Sequence, residues 1–252
     1  MTLARLTEVL ALPMSTRVER RVPKTLLLEQ EAITTADKRA IRDDLDELLW
    51  VAALKPENIG VPAFKDDVRE YLEVAVLTGT LRKSAKFGPL TKLIHRAVPY
   101  PVVLWVEQEA EVSLSFAHKR SSHGQTRAVV VEEVYLTEPF RPDEPNELEA
   151  CFLKSLALAD LPRTSLHALY QGWMDRVTAL DAANITGSFR LVQTPEDAAV
   201  RRDAVAAHAQ HHRELASLRT QAERETQISR RVDLNLAIKR IESQLAALRT
   251  GL

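Results

Sequence analysis

Three histidines stand within about one helical turn in the segment HAQHH: His208, His211 and His212. His208 and His212 have the i, i+4 spacing at which two imidazoles on one helix face can share a metal ion. A metallohydrolase motif also needs a carboxylate at a set position, and this Ala-rich stretch has none there. The three are read as surface or seam residues, and no metal is expected. A second chemistry is that of restriction-type nucleases, which hold magnesium with an Asp or Glu on one strand and a Glu-x-Lys on the next. The strand-like segment REYLEVAV supplies Glu70 and Glu73, but no lysine stands two residues after either. The seven glycines form no phosphate loop or dinucleotide fingerprint, and no nucleophile elbow is present. No catalytic residue and no cofactor is assigned.

Basic clusters are the remaining lead. Arg17, Arg20, Arg21 and Lys24 surround the first strand, and Arg82, Lys83, Lys86 and Lys92 decorate a helix. Along the C-terminal stretch run Arg213, Arg219, Arg224, Arg230, Arg231, Lys239 and Arg240, against Glu214, Glu223, Glu225 and Asp233. Such a stripe can contact phosphates. It can equally be a solvated helix face with paired charges, which is the simpler reading. Net charge is −1, so no global field draws the molecule to nucleic acid or an anionic membrane. Trp50, Trp105 and Trp173 sit in apolar contexts and read as core. Cys151, in ACFLKSLAL, reads as a small buried hydrophobe. As the only cysteine it excludes an intramolecular disulfide and fits a reducing cytoplasm. No stretch approaches the ~20 apolar residues of a membrane span, and the N-terminal apolar stretch is too short and charged for a signal peptide. The protein is expected to be soluble and cytoplasmic.

The elements that must position these residues follow from spacing. Leu3, Leu6, Val9 and Leu10 predict a helix that Pro13 ends. ERRVPKTLLLEQ predicts a short strand, with Pro23 placing it at an edge. In TTADKRAIRDDLDELLWVAAL, Thr34 or Thr35 caps a helix whose stripe is Ile41, Leu45, Leu48 and Leu49. A strand is expected in REYLEVAVLTG and a helix in LRKSAKFGPLTKLIHRAVP. Two strands, 101 to 107 and 111 to 118, join through a tight turn at Gln108 to Ala110, and TRAVVVEEVYLTEPF gives another. The expected fold is an α+β domain over 1–140, a mostly antiparallel sheet of four or five strands with helices on one face. RPDEPNE marks a boundary, a helical connector covers 147–190 with a weak strand signal in SFRLVQ, and a long helix covers 194–252.

That last helix has Thr194 as N-cap, Pro195 in the first helical position, and Glu196 and Asp197 against the positive dipole end. From Glu196 to Thr250 it contains neither Pro nor Gly, and at 1.5 Å per residue it would span about 80 Å. Leu234, Ile238, Ile241, Leu245, Leu248 and Leu252 have heptad spacing. His208, His211, Leu215, Leu218 and Ala222 continue it upstream, with a register slip around Glu225 to Val232. A coiled-coil arm with a discontinuity is expected. A hairpin at that point is the alternative, with no Gly or Pro to supply the turn.

Several short signatures occur in order: VPKTLL, DDLDELLWVAALKPENI, EVAVLTGTLR, LIHRAVPYPVVLWV, FAHKR and RETQISRRVDLNLAIKRIESQL. Over nearly the whole chain they resemble a bacterial family built on a domain of unknown function. The genes of that family commonly lie beside Swi/Snf-type helicases, DNA adenine methyltransferases and restriction-type helicase-nucleases in defence islands. Pro23 and Lys24 match the family's Pro-Lys, and Trp50 its Trp. Glu73 to Val76 with Leu81 and Arg82 match a strand that reads Glu-Ile-Gln-Val and ends in Leu-Lys. The departures, Ala75 for Gln and Arg82 for Lys, put any catalytic use of that strand in doubt. Val98 to Pro101 match Ile-Pro-Tyr-Pro, and Gln227 through Asn235 match the tail pattern.

The functional expectation is a non-enzymatic accessory subunit of an anti-phage, restriction-like system. It would bind a helicase or methyltransferase, or a second copy of itself, through the α+β domain and the coiled coil. The alternatives are a DNA-binding module using the Arg-rich arm, and a divergent metal-dependent nuclease built on Glu70 and Glu73. The interaction candidates are Lys24, Arg82, Arg224, Gln227, Arg230, Arg231 and Asn235.

Overall fold

The structure is a computed structural model that describes residues 2–29, 33–121 and 129–252. It divides into two compact units, Met1–Val177 and Thr178–Leu252. Among the described residues no helix is long and apolar enough to cross a membrane.

The first unit opens with helix α1 (Thr2–Val9), strand β1 (Arg17–Arg21) and helices α2 (Lys24–Leu28) and α3 (Thr35–Asp43). The Thr34 side chain accepts from the Asp37 N–H, and the Asp37 carboxylate accepts from the Thr34 N–H, closing a capping box at the start of α3. The helix expected to run on through Leu54 stops here, because Leu45–Leu54 is strand β2. Ile41, Leu45 and Leu48 satisfy a helical period. From Leu48 onward, though, the run LLWVAAL is apolar without a break and holds a β-branched and an aromatic residue, as a buried central strand does. Val51, Ala52 and Leu54 are fully buried, and β2 has a partner strand on each side.

The short helix α4 (Pro56–Ile59) and the ribbon β3 (Phe64–Lys65) and β4 (Glu70–Tyr71) lead into β5 (Val74–Leu81), helix α5 (Phe87–Ala97), β6 (Val102–Gln108), β7 (Glu111–Ser121) and β8 (Val129–Leu136). The start of the last strand's expected segment, from Thr126, lies outside the described residues. The main sheet has six strands in the order β1-β2-β5-β6-β7-β8, not four or five. It is antiparallel except where α5 carries the chain from β5 to a parallel β6. The tight turn between β6 and β7 falls at Glu109 and Ala110, with Glu109 at φ 57°.

Helices cover both faces of this sheet, not one. On β7, Ser115 meets His95 of α5, while its neighbour Phe116 meets Tyr170 and Trp173 of helix α7 (Leu166–Thr186). Successive strand residues point to opposite faces. The sequence carried a signal for this: Val74–Leu77 and Val102–Val106 are apolar at every position and all buried, as two-sided burial requires. Helix α6 (Glu147–Ser155) and the start of α7 also belong to the first unit, so the RPDEPNE segment lies inside it. Phe152 packs edge-on against Phe140 at 6.3 Å, and the Trp173 indole donates to the Leu156 carbonyl at 3.0 Å.

Tyr170 ties α7 to the sheet. The β6–β7 ladder ends at Leu104–Ser115, and beyond it the strands part. The Tyr170 hydroxyl fills the gap, donating to the Val102 carbonyl at 2.7 Å and accepting from the Ala117 N–H at 2.8 Å. Tyr170→Phe leaves both backbone groups orphaned in a buried place. A loss of about 1–3 kcal/mol is expected in urea unfolding; an unchanged midpoint would show that the bridge contributes nothing.

The second unit holds helices α8 (Pro195–Arg224) and α9 (Ile228–Gly251). The Thr194 side chain caps α8 by accepting from the Asp197 N–H at 3.1 Å, with Pro195 at the first position as expected. The single helix expected from 194 to 252 is instead a helical hairpin. Glu225 and Gln227 take extended backbone angles (ψ 124° and 120°), and the Glu225 carboxylate accepts from the Gln227 N–H at 2.8 Å. The break falls inside the predicted register slip. Folding back lets the two halves of the apolar stripe cover each other: Leu215, Ile241 and Leu245 are buried, with Leu218 and Ile238 against them. An Arg219–Glu242 ion pair of 2.8 Å crosses between the helices. SFRLVQ forms no strand.

Candidate functional site

Two of the sequence-predicted residues, Lys24 and Arg82, each contact the start of β2 at one end of the main sheet. Lys24 opens α2 after a two-residue link from β1, and Arg82 directly follows β5. Between them lies the start of β2, where a β-bulge sets Leu45 opposite Leu81 but Glu47 opposite Thr80. A bulge re-aims side chains. Here Leu45 and Leu48 stay buried, while Asp46 and Glu47 both turn outward. The Lys24 ammonium donates to the Leu45 carbonyl. Arg82 Nε lies 3.8 Å from Asp46 Oδ1, and Arg21 Nε lies 3.4 Å from Glu47 Oε1. The Arg82 N–H donates to the Asp44 carbonyl at 2.8 Å, holding this corner of β5 to β2. A cleft of about 330 Å³ is lined by Arg21, Val22, Pro23, Lys24, Asp46, Glu47 and Leu48.

The other candidates cluster on the hairpin. Arg224 closes α8, Gln227 is the N-cap of α9, and Arg230, Arg231 and Asn235 are exposed on its first turns. Ile228, Val232 and Leu236 are also exposed, at 73%, 51% and 59%. At 100° per residue these three form a stripe about 150° around the helix from the Leu234–Ile238–Ile241–Leu245 face. Lys239 lies on that stripe and Arg240 beside it, both exposed. α9 therefore has a second apolar face besides the one packed on α8.

Glu70 and Glu73 do not meet. Glu70 pairs with Lys65 at 2.7 Å across the β3–β4 ribbon, and Glu73 pairs with Lys55 at 3.1 Å. The contact with Glu73 raises the Lys55 pKa. Among the described residues no group of three or more His, Cys, Asp or Glu side chains is placed to hold a metal. The His208 and His212 rings lie 4.7 Å apart on α8, and partial burial followed by the neighbouring histidines lowers the His208 pKa. Cys151 is exposed, contrary to expectation; the buried positions of α6 are its neighbours Phe152 and Leu153. Trp105 and Trp173 are core, as read, and Trp50 packs against the core cluster while half-buried.

One constellation escaped the sequence reading. The Tyr71 hydroxyl on β4 bonds to His118 Nδ1 on β7, and His118 Nε2 lies 2.7 Å from Gln171 Oε1 on α7. Gln171 Nε2 in turn donates to Asp175 Oδ1 at 2.8 Å. Because a carboxylate only accepts, that last bond fixes the amide orientation. His118 must then donate from Nε2, and in the neutral ring Nδ1 accepts from Tyr71. The His167 ring stacks on His118 at 5.1 Å and on Phe64 at 4.8 Å. Burial, with His118 and Arg69 adding to it, lowers its pKa to about 4. Burial raises the Tyr71 pKa. Arg69 Nη2 spans both Glu132 oxygens at 2.9 and 3.1 Å beside this set. The arrangement can orient a neutral imidazole. Tyr71 is fully buried, so its part is to hold that ring. The only sequence trace was FAHKR among the recurring signatures, since the partners stand up to 53 residues away.

A family model described as a domain of unknown function (DUF4391) matches residues 10–245. No curated protein and no solved structure matches the chain.

Proposed function

The chain belongs to this family of unknown function, and we propose that it is a non-enzymatic accessory subunit that binds partner proteins through its α8–α9 hairpin. The observation that carries this is the Ile228–Val232–Leu236 stripe. It lies on a helix whose other apolar face is already packed, so the hairpin does not need it for folding. An exposed apolar stripe on a soluble helix marks an interaction surface. With Lys239 and Arg240 at its edge it suits an apolar partner helix bordered by carboxylates. The resemblance to families encoded in defence islands makes a Swi/Snf-type helicase or an adenine methyltransferase of an anti-phage system the proposed partner. A second copy of the chain is the other occupant to test.

Co-purification with the proteins encoded next door tests this. The Ile228→Asp, Val232→Asp, Leu236→Asp variant is expected to lose the partner by tenfold or more in affinity, as expected for removing interface anchors, with its helix content unchanged by circular dichroism. Retention of the partner by that variant would sink the reading. A drop from dimer to monomer mass in light scattering, without any partner, would assign the stripe to self-association. The basic residues of the hairpin offer a second reading as a DNA contact, favoured by Arg224, Arg230 and Arg231 standing close to one turn. It predicts salt-dependent DNA binding that disappears with Arg230→Gln and Arg231→Gln.

A further inference from the structure

We propose that the cleft at the end of β1, β2 and β5 is a binding site for nucleic-acid backbone phosphate, with Arg82, Lys24 and Arg21 as its cations. Arg21 and Lys24 line the cleft together with Asp46 and Glu47, which the bulge in β2 turns outward, and Arg82 reaches the cleft's Asp46 from the end of β5. The two ion pairs are long, at 3.8 and 3.4 Å, and the four side chains are 48–69% exposed. Such pairs contribute little, and each engages its guanidinium through Nε, one of five donors. A phosphodiester approaching the cleft can displace the carboxylates and take both guanidinium groups, which match its geometry better than an ammonium does.

The arrangement also bears on cleavage. Metal-dependent nucleases of the restriction type need an acid on one strand and an acid-x-Lys on its neighbour. In this chain the neighbouring strands are β2 and β5, not the β3–β4 ribbon. Asp46 supplies the first acid, but the end of β5 reads Thr80-Leu81-Arg82. Thr80 stands where the second carboxylate belongs, and Arg82 stands where the lysine does. A corner with these cations but no carboxylate at position 80 is suited to hold a backbone and has no second acid for metal-dependent cleavage. Nothing in this depends on the hairpin surface.

Fluorescence anisotropy of a short labelled DNA duplex with the full-length protein, across a salt series, decides the matter. The wild type is expected to bind in a salt-dependent way. Arg82→Gln is expected to weaken binding and lower the slope of log affinity against log salt by about one. Asp46→Asn is expected to tighten binding roughly two- to fivefold, by freeing Arg82 from its carboxylate. A merely structural role for this corner would not produce that gain. Both positions are exposed, and a urea midpoint checks that each variant folds. The proposal is overturned if the wild type shows no salt-dependent binding, or if Asp46→Asn fails to tighten it. It is equally overturned if binding survives Arg82→Gln but is lost with Arg230→Gln and Arg231→Gln, which would assign DNA to the hairpin.

Discussion

Trp173→Ala is expected to destabilise the first unit by about 3–5 kcal/mol, a large share of the roughly 5–15 kcal/mol that holds an ordinary domain folded. Trp173 is fully buried on α7, its ring stacked with Phe116 at 6.3 Å and its N–H given to the Leu156 carbonyl. Truncation leaves a cavity against the sheet and an orphaned carbonyl at the end of α6. The same helix places Arg176, whose guanidinium donates to the Ser155, Gly172 and Asp160 carbonyls at 2.6–2.8 Å. Gly172 has no side chain to spare between these contacts, because a Cβ there would stand 2.7 Å from Pro162 Cδ. Urea unfolding followed by intrinsic fluorescence, with Trp50 and Trp105 as remaining reporters, measures the effect. Trp173→Phe should cost less, since it keeps most of the volume. Equal costs for the two would show that the lost hydrogen bond, not the cavity, dominates.

Stability of the first unit is expected to fall as pH drops from about 6.5 towards 4, with His95 as the main cause. His95 is fully buried, bonds Ser115 Oγ through Nε2 at 2.9 Å, and has no partner on Nδ1 among the described residues. Burial, and then the Lys119 charge, lower its pKa to about 3. The unfolded chain takes up its proton near 6.5, the folded one only near 3, so the unfolded state binds more protons across that window. Stability is then lost on acidification by up to about 1.4 kcal/mol per pH unit for this one group. His167, lowered to about 4, adds to the same limb. Lys119 acts at the other end. Burial lowers its pKa to about 7, and it donates to the Val98 and Tyr100 carbonyls. Between pH 7 and its ordinary 10.5 the unfolded state again binds more protons, so stability rises with pH. His95→Gln should flatten the acid limb by about one proton, and Lys119→Met should flatten the alkaline one. An acid limb unchanged in His95→Gln would refute the assignment.

Local order was legible in the residues themselves. The cap of α3 at Thr34, the Thr194–Pro195 start of α8, the tight turn between β6 and β7 and the Ile238–Ile241–Leu245 part of the terminal stripe each depend on neighbours within a few positions. Propensity, capping and periodicity decide such features. Membership in a family built on a domain of unknown function was also legible, from short signatures in order along the chain.

Three-dimensional packing decided the rest. Leu45–Leu54 satisfies helical and extended periods alike, and only strands on both sides, which the chain supplies later, make it β2. The terminal stripe is complete in sequence. That it folds back on itself depends on whether burying one half against the other repays an extended turn at Glu225–Gln227, which no Gly or Pro announces. Lys24, Asp46 and Arg82 are unremarkable exposed charges in the sequence. A one-residue bulge opposite Thr80 and Leu81 turns Asp46 into a cleft beside Lys24 and within reach of Arg82, and that placement rests on strand register. Tyr71, His118, Gln171 and Asp175 likewise meet only because α7 lies across the face opposite α5. Spacing along the chain determined which segments are regular. Strand order, register and the choice of covered face determined which side chains meet, because those are settled by long-range burial that no local pattern encodes.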